Sequence, residues 1–164
     1  MIRRALSVLP TRPIIYIVPL LVVLVLFFYY RDIYQKCTDN KQFRTALVAS
    51  LNAMAVPGEF RLLDFTDFRW DKVRIVANFE PERRNTECPF DWNWPSGLRD
   101  TLIANGLLTV LIFAQDGMIV RYHELRSDEL AFRGAQASLT PQTAVFDVDR
   151  DSAASGAVTL SLKP

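Results

Sequence analysis

A chain of 164 residues, 50% of them apolar, is the size of one folded domain with an appendage, and its ordinary Gly and Pro content excludes a disordered or fibrous chain. Lys and Arg number 19 against 18 Asp and Glu, and the net charge of +1 argues against the broad basic surface that nucleic-acid binding draws on. The apolar residues are unevenly spread, and no charge interrupts the run from Pro13 to Tyr30.

That run, PIIYIVPLLVVLVLFFYY, spans roughly 27 Å as a helix, close to the ~30 Å hydrocarbon core of a bilayer. Arg12 and Arg31 bracket it with charges that snorkel to headgroups, and Phe27, Phe28, Tyr29 and Tyr30 crowd one end as interfacial aromatics do. Pro13 suits a helix start, and Pro19 predicts a kink of the kind that lipid-embedded helices tolerate. The run is longer than a signal-peptide core, and no small-residue cleavage site follows closely; Ala53-Met54-Ala55 comes too late. No cysteine ends the run to take a lipid. The reading is an uncleaved signal anchor over 13–30, with a cytoplasmic stub at 1–12 and an exported, periplasmic domain at 31–164. Basic residues flank both ends, so charge alone does not orient it; the short stub and the cysteine usage place the N-terminus inside.

Cys37 and Cys88 are the two cysteines. In an oxidising compartment they can pair and close a loop of about 50 residues, worth on the order of 4 kcal/mol in the chain-entropy model. The alternatives are two free, partly buried thiols in a cytoplasmic domain, or a catalytic thiol, for which nothing around either cysteine suggests an activated thiolate. With one histidine besides, the ligands of a structural zinc site are missing, and no cofactor or metal is expected.

Residues 38–55 carry Phe43, Leu47, Leu51 and Met54 at spacings of four, four and three, an amphipathic helix capped by Asp39 or Asn40 and ended by Pro57-Gly58. A short juncture is expected between it and the span. Residues 68–76 alternate as a strand, with Phe68, Trp70, Lys72, Arg74 and Val76 on one face and Asp71, Val73 and Ile75 on the other. Residues 80–97 read as a loop, and 98–105 as a short helix ended by Gly106. Leu107–Ala114 and Met118–Leu125, joined through Gln115-Asp116-Gly117, form a hairpin. A second hairpin pairs 143–148, carrying Ala144, Phe146 and Val148 inward, with Val158, Leu160 and Leu162 across a turn at 152–156. The fold class is α+β: an N-terminal transmembrane helix, then one helix packed on an antiparallel sheet of about five strands.

The search for chemistry is mostly negative. His123 falls at an outward position of its strand and reads as a solvated or hydrogen-bonded residue; no G-x-S-x-G elbow accompanies it. Asp147-Val148-Asp149-Arg150-Asp151 invites a calcium loop, but Ser152 and Val158 stand where the loop needs Gly and Glu. Alternating Asp on the wet face of a strand accounts for it. Phosphate-cradling glycine loops are absent from the sequence. The distinctive stretch is 80–95, which sets Arg83 and Arg84 beside Phe90, Trp92 and Trp94 in a loop. Arginine and aromatic side chains dominate binding hot spots, so these five are the candidate binding residues; the structural alternative is that Trp92 and Trp94 cover the core or rest on the membrane surface.

Phe68-Arg69-Trp70-Asp71-Lys72-Val73-Arg74-Ile75 resembles the F-x-W-D-K-V-x-I element of small bacterial membrane-anchored proteins and lipoproteins, and 111–120 resembles the apolar hairpin those proteins often carry. The resemblance implies a bacterial envelope setting and an α+β domain, and carries no catalytic residues. The chain departs from it in having Ala77-Asn78-Phe79-Glu80-Pro81 for a Pro-rich stretch, and a helix for a lipid anchor. The expectation is a binding protein rather than an enzyme: tethered to the bilayer through 13–30, facing a protein partner in the envelope, and neutralising or docking it as an immunity protein does. The alternatives are an architectural subunit of an inner-membrane complex, or a small envelope hydrolase using carboxylates between Asp91 and Asp100.

Overall fold

The computed structural model describes residues 11–78, 92–95, 97–134, 138–150 and 157–163, with side chains from residue 16 onward. The chain divides into two compact units, Met1–Lys36 and Cys37–Pro164. Helix α1 (Thr11–Ala53) runs without a break from the first into the second, so the expected juncture is absent. The reason is compositional: between Arg31 and Asn40 there is neither Gly nor Pro to stop a helix, and Lys36 pairs with Asp32 one turn earlier at 2.7 Å. Within the first unit every side chain from Tyr16 to Tyr30 is exposed. Among the described residues α1 is the one helix long and apolar enough to cross a membrane.

The second unit is α+β, but it holds two four-stranded sheets where one sheet of about five strands was expected. The first sheet joins β1 (Gly58–Arg61), β7 (Val145–Arg150), β8 (Val158–Leu162) and β5 (Leu130–Arg133) in that order. The second runs β4 (Met118–Arg126), β3 (Leu108–Gln115), β2 (Lys72–Val76) and β6 (Ser138–Leu139). Both expected strand pairings, β3 with β4 and β7 with β8, are present, one in each sheet; the turn expected at 152–156 lies outside the described residues. The short strands β1, β5 and β6, too brief to show a period, complete the sheets. One pairing, β5 with β8, is parallel.

The split follows from where apolar surface must go. In the first sheet one face is apolar, with Phe146, Val148, Val158 and Leu160 buried, while Asp147 and Asp149 stand in solvent. That face, the α1 stripe of Leu47 and Leu51, and Val73, Ile75, Leu111 and Phe113 of the second sheet form one core. Each fully buried leucine or phenylalanine stabilises it by about 1.5–3 kcal/mol. The second sheet is covered on its other face too. Helix α3 (Leu98–Ala104) and Trp94 pack there on Leu108 and Val110, which explains the unbroken apolar run of β3. Strand β2 begins at Lys72, later than expected. Trp70 therefore escapes the strand alternation, lies buried in the main core, and donates its indole N–H to Thr66 Oγ1 at 2.8 Å.

Local chemistry places the remaining elements. The β3–β4 turn is Asp116-Gly117, both at positive φ (51° and 78°), the two-residue geometry that asks for this dipeptide. Asp71 Oδ2 accepts the Asp116 N–H at 2.8 Å and pins the turn to the start of β2. Helix α3 ends in a Schellman motif: Leu107 N–H donates to Leu102 O and Gly106 N–H to Ile103 O, with Gly106 at φ 64°. A short helix, α2 (Leu62–Phe65), follows β1. Arg150, the basic residue within the Asp-rich stretch, caps the C-terminus of α1: its Nη2 donates to the carbonyls of Leu51, Asn52 and Met54.

Candidate functional site

Of the five candidate binding residues, Arg83, Arg84 and Phe90 lie outside the described residues, as does Cys88. Trp92 is half-buried. Trp94 is buried in the domain rather than displayed on its surface, at 6% exposure. Its Nε1–H donates to Glu124 Oε2 at 2.7 Å, and the Arg44 guanidinium lies 3.6 Å above its ring. Arg44 also donates to Asn93 Oδ1 and to Asn93 O, at 3.1 and 2.9 Å. An aromatic ring with a polar N–H is buried only where an acceptor waits for it, and Glu124 is that acceptor. Trp94 thus fastens its segment to α1 and β4. Cys37 is buried at 4% exposure and is not a free thiol. Asp100, the described end of the hydrolase carboxylate stretch, is exposed on α3, and Asp91 lies outside the described residues.

Glu124 is the centre of this arrangement and was not singled out in the sequence. It is 1% exposed. Arg99 Nη2 donates to Oε1 at 2.7 Å and Nε to both carboxylate oxygens at 3.1 Å, a forked contact from the first turn of α3. Tyr122 reaches Oε1 at 3.4 Å. The Glu124 backbone N–H, on the edge strand, donates to Asn40 Oδ1 of α1 at 2.8 Å, so the helix closes the open edge of β4 there. Burial lowers the Arg44 pKa, with the nearby Glu129 and Glu124 charges opposing the shift.

His123 presents the opposite case and corrects the expectation of a solvated or hydrogen-bonded residue. It is 3% exposed, and among the described residues neither ring nitrogen has a hydrogen-bond partner. Its ring stacks on Phe43 of α1, with centroids 3.8 Å apart and planes within 2°. Strand alternation misleads because both faces of the C-terminal half of β4 are covered, so an outward position for one face is inward for the other. Desolvation pushes the imidazole pKa down to about 4; Arg121 adds to the shift and Asp67 opposes it. The ring is therefore neutral at pH 7. It lines a recess of about 290 Å³ between α1, the α2–β2 connection and β4. Phe43, Phe65 and Phe68 form its apolar part, and Asp39, Gln42, Asp67 and Arg121 its polar part. A sequence signal for it exists in hindsight: Asp39, Gln42, Phe43 and Ala46 follow helical spacing on one face.

Compared with protein-family models, curated proteins and solved structures, the chain has no significant match.

Proposed function

We propose that this chain is a single-span, membrane-tethered binding protein of the bacterial envelope, whose exported domain docks another envelope protein in the manner of an immunity protein. The observation that carries the tether is the bare helical surface from Tyr16 to Tyr30, apolar and uncovered. A helix apolar on all sides and buried by nothing in its own chain finds its low-energy environment in lipid. The docking half rests on the Arg–aromatic segment. Its Trp94 end is held by Arg44 and Glu124, and its arginine and aromatic residues are the types that dominate binding hot spots. A buried Cys37 that is not free supports an oxidising compartment and a bridge to Cys88.

Two experiments test the reading. In intact cells, a membrane-impermeant maleimide labels the cysteines only after reduction; labelling only after lysis, with no reductant, puts the domain in the cytoplasm and overturns it. Crosslinking from residue 83 or 84 recovers a specific envelope protein, and replacing the span by an unrelated anchor leaves that capture intact. Loss of capture on the anchor swap favours an architectural subunit, whose helix makes specific contacts in the bilayer.

A further inference from the structure

The His123 recess lies on the face of β4 opposite Trp94, and docking through the Arg–aromatic segment leaves it unexplained. A buried donor or acceptor without a partner destabilises a fold by about 1–3 kcal/mol, and His123 carries two such atoms. Its neighbours on the same face, Leu111 across the ladder and Leu125 along the strand, are fully buried and apolar. A leucine or phenylalanine at position 123 would complete that surface without the cost. An imidazole held neutral, with one N–H and one bare lone pair, is suited to a group that both donates and accepts.

We propose that the recess is a binding site for a small neutral phenol-like molecule, a flat apolar ring bearing a hydroxyl that hydrogen-bonds to His123. The hydroxyl serves either tautomer of the imidazole, whichever nitrogen carries the proton. The aromatic body follows from the walls: Phe43, Phe65 and Phe68 offer ring faces and edges at which another ring packs edge-to-face or offset. The surroundings favour a group without full charge: Asp39 and Asp67 repel an anion, Arg121 offsets part of their pull on a cation, and the imidazole offers a hydrogen bond rather than a counter-charge. The size follows from the volume, about 290 Å³, at the lower end of ligand pockets. Both nitrogens are shut from solvent, so the occupant reaches them as one wall yields. Among the aromatic walls Phe68 alone sits outside a helix or strand.

The test uses the full chain, untagged, in micelles, with p-cresol as the probe and toluene and benzylamine as controls. His123 is the chain's single histidine, so ¹⁵N labelling of histidine reports on this ring alone. The expected result is a saturable shift of the imidazole nitrogens with p-cresol in the millimolar range, and affinity about tenfold weaker for toluene and for benzylamine. In His123→Phe, read by saturation transfer to the cresol in the same micelles, the preference for p-cresol over toluene disappears, which also corrects for partition into detergent. Should that variant misfold, His123→Gln keeps a donor and an acceptor and retains part of the preference. Equal binding of toluene and p-cresol, tighter binding of benzylamine, or cresol binding that leaves the imidazole nitrogens unmoved overturns the proposal.

Discussion

His123 and Glu124 are consecutive residues of β4, both buried, on opposite faces of one sheet. Glu124 has its carboxylate held by Arg99 and Trp94 and its amide held by Asn40. His123 has a phenylalanine stacked on it and, among the described residues, nothing bonded to its nitrogens. Burial alone therefore does not separate structural polar groups from functional ones; satisfaction does. On the α3 face the polar group is a fastening, because every strong donor around it is committed. On the α1 face the polar group has capacity left over, and that is where chemistry from outside the chain has something to bind.

The sharpest way to break the comparison is to remove the partner of Glu124. Arg99→Met strands a carboxylate that is 1% exposed, and the cost is about 3–5 kcal/mol of unfolding free energy, read by denaturant titration of the full chain in micelles. The double change Arg99→Met with Glu124→Leu recovers most of it. If the double variant is as unstable as the single one, the pair is not the fastening described.

The next effect belongs to His123 and depends on pH. In the unfolded chain the imidazole titrates near 6.5, and in the fold near 4. Between these values the unfolded chain takes up a proton that the fold refuses. The stability due to the neutral ring is thus complete above pH 6.5 and falls as the pH drops toward 4, by about 3 kcal/mol across the window. His123→Phe removes this slope, while the carboxylates common to both proteins cancel in the difference. Parallel stability curves for the two proteins between pH 7 and 4 would count against a buried neutral imidazole.

Periodic elements were legible and polar partners were not. The four-four-three spacing of Phe43, Leu47, Leu51 and Met54 located the α1 stripe, Asp116-Gly117 located the β3–β4 turn, and Gly106 located the end of α3, because each signal is local. The division into two sheets depends on β1, β5 and β6, of two to four residues, whose pairing is decided by distant strands. Glu124 and Arg99 are 25 residues apart, and Asn40 and Glu124 are 84 apart; no spacing rule links them. For Trp94 the sequence leaves a contact residue and a cover for the core both open, because the acceptor that accompanies its burial lies on another element. His123 was read outward because alternation identifies a face but not whether the face is covered.

A smaller effect sharpens the role of α1. Asn40→Ala leaves the Glu124 N–H without its acceptor on the edge of β4, at a cost of about 1–3 kcal/mol. The Glu124 amide then exchanges with solvent faster than its neighbours on β3, which keep their ladder partners. Uniformly faster exchange across the sheet would mean that the helix contributes bulk cover and not this one bond.

The smallest effect lies where satisfaction is shared with water. Arg150 donates to three carbonyls at the end of α1 from an exposed position on β7, so solvent can replace much of what it provides. Arg150→Ala therefore costs about 1 kcal/mol, the usual worth of a cation at a helix C-terminus. Arg150→Lys keeps the charge but loses the planar fork that spans several carbonyls, and falls between the two. Raising the salt concentration narrows the gap between wild type and alanine, since this interaction is screened, and leaves the Arg99→Met cost nearly unchanged, since that pair is not. If salt erases both differences alike, then Glu124 is solvated as Arg150 is, and the contrast between a fastened and an open polar group on β4 is lost.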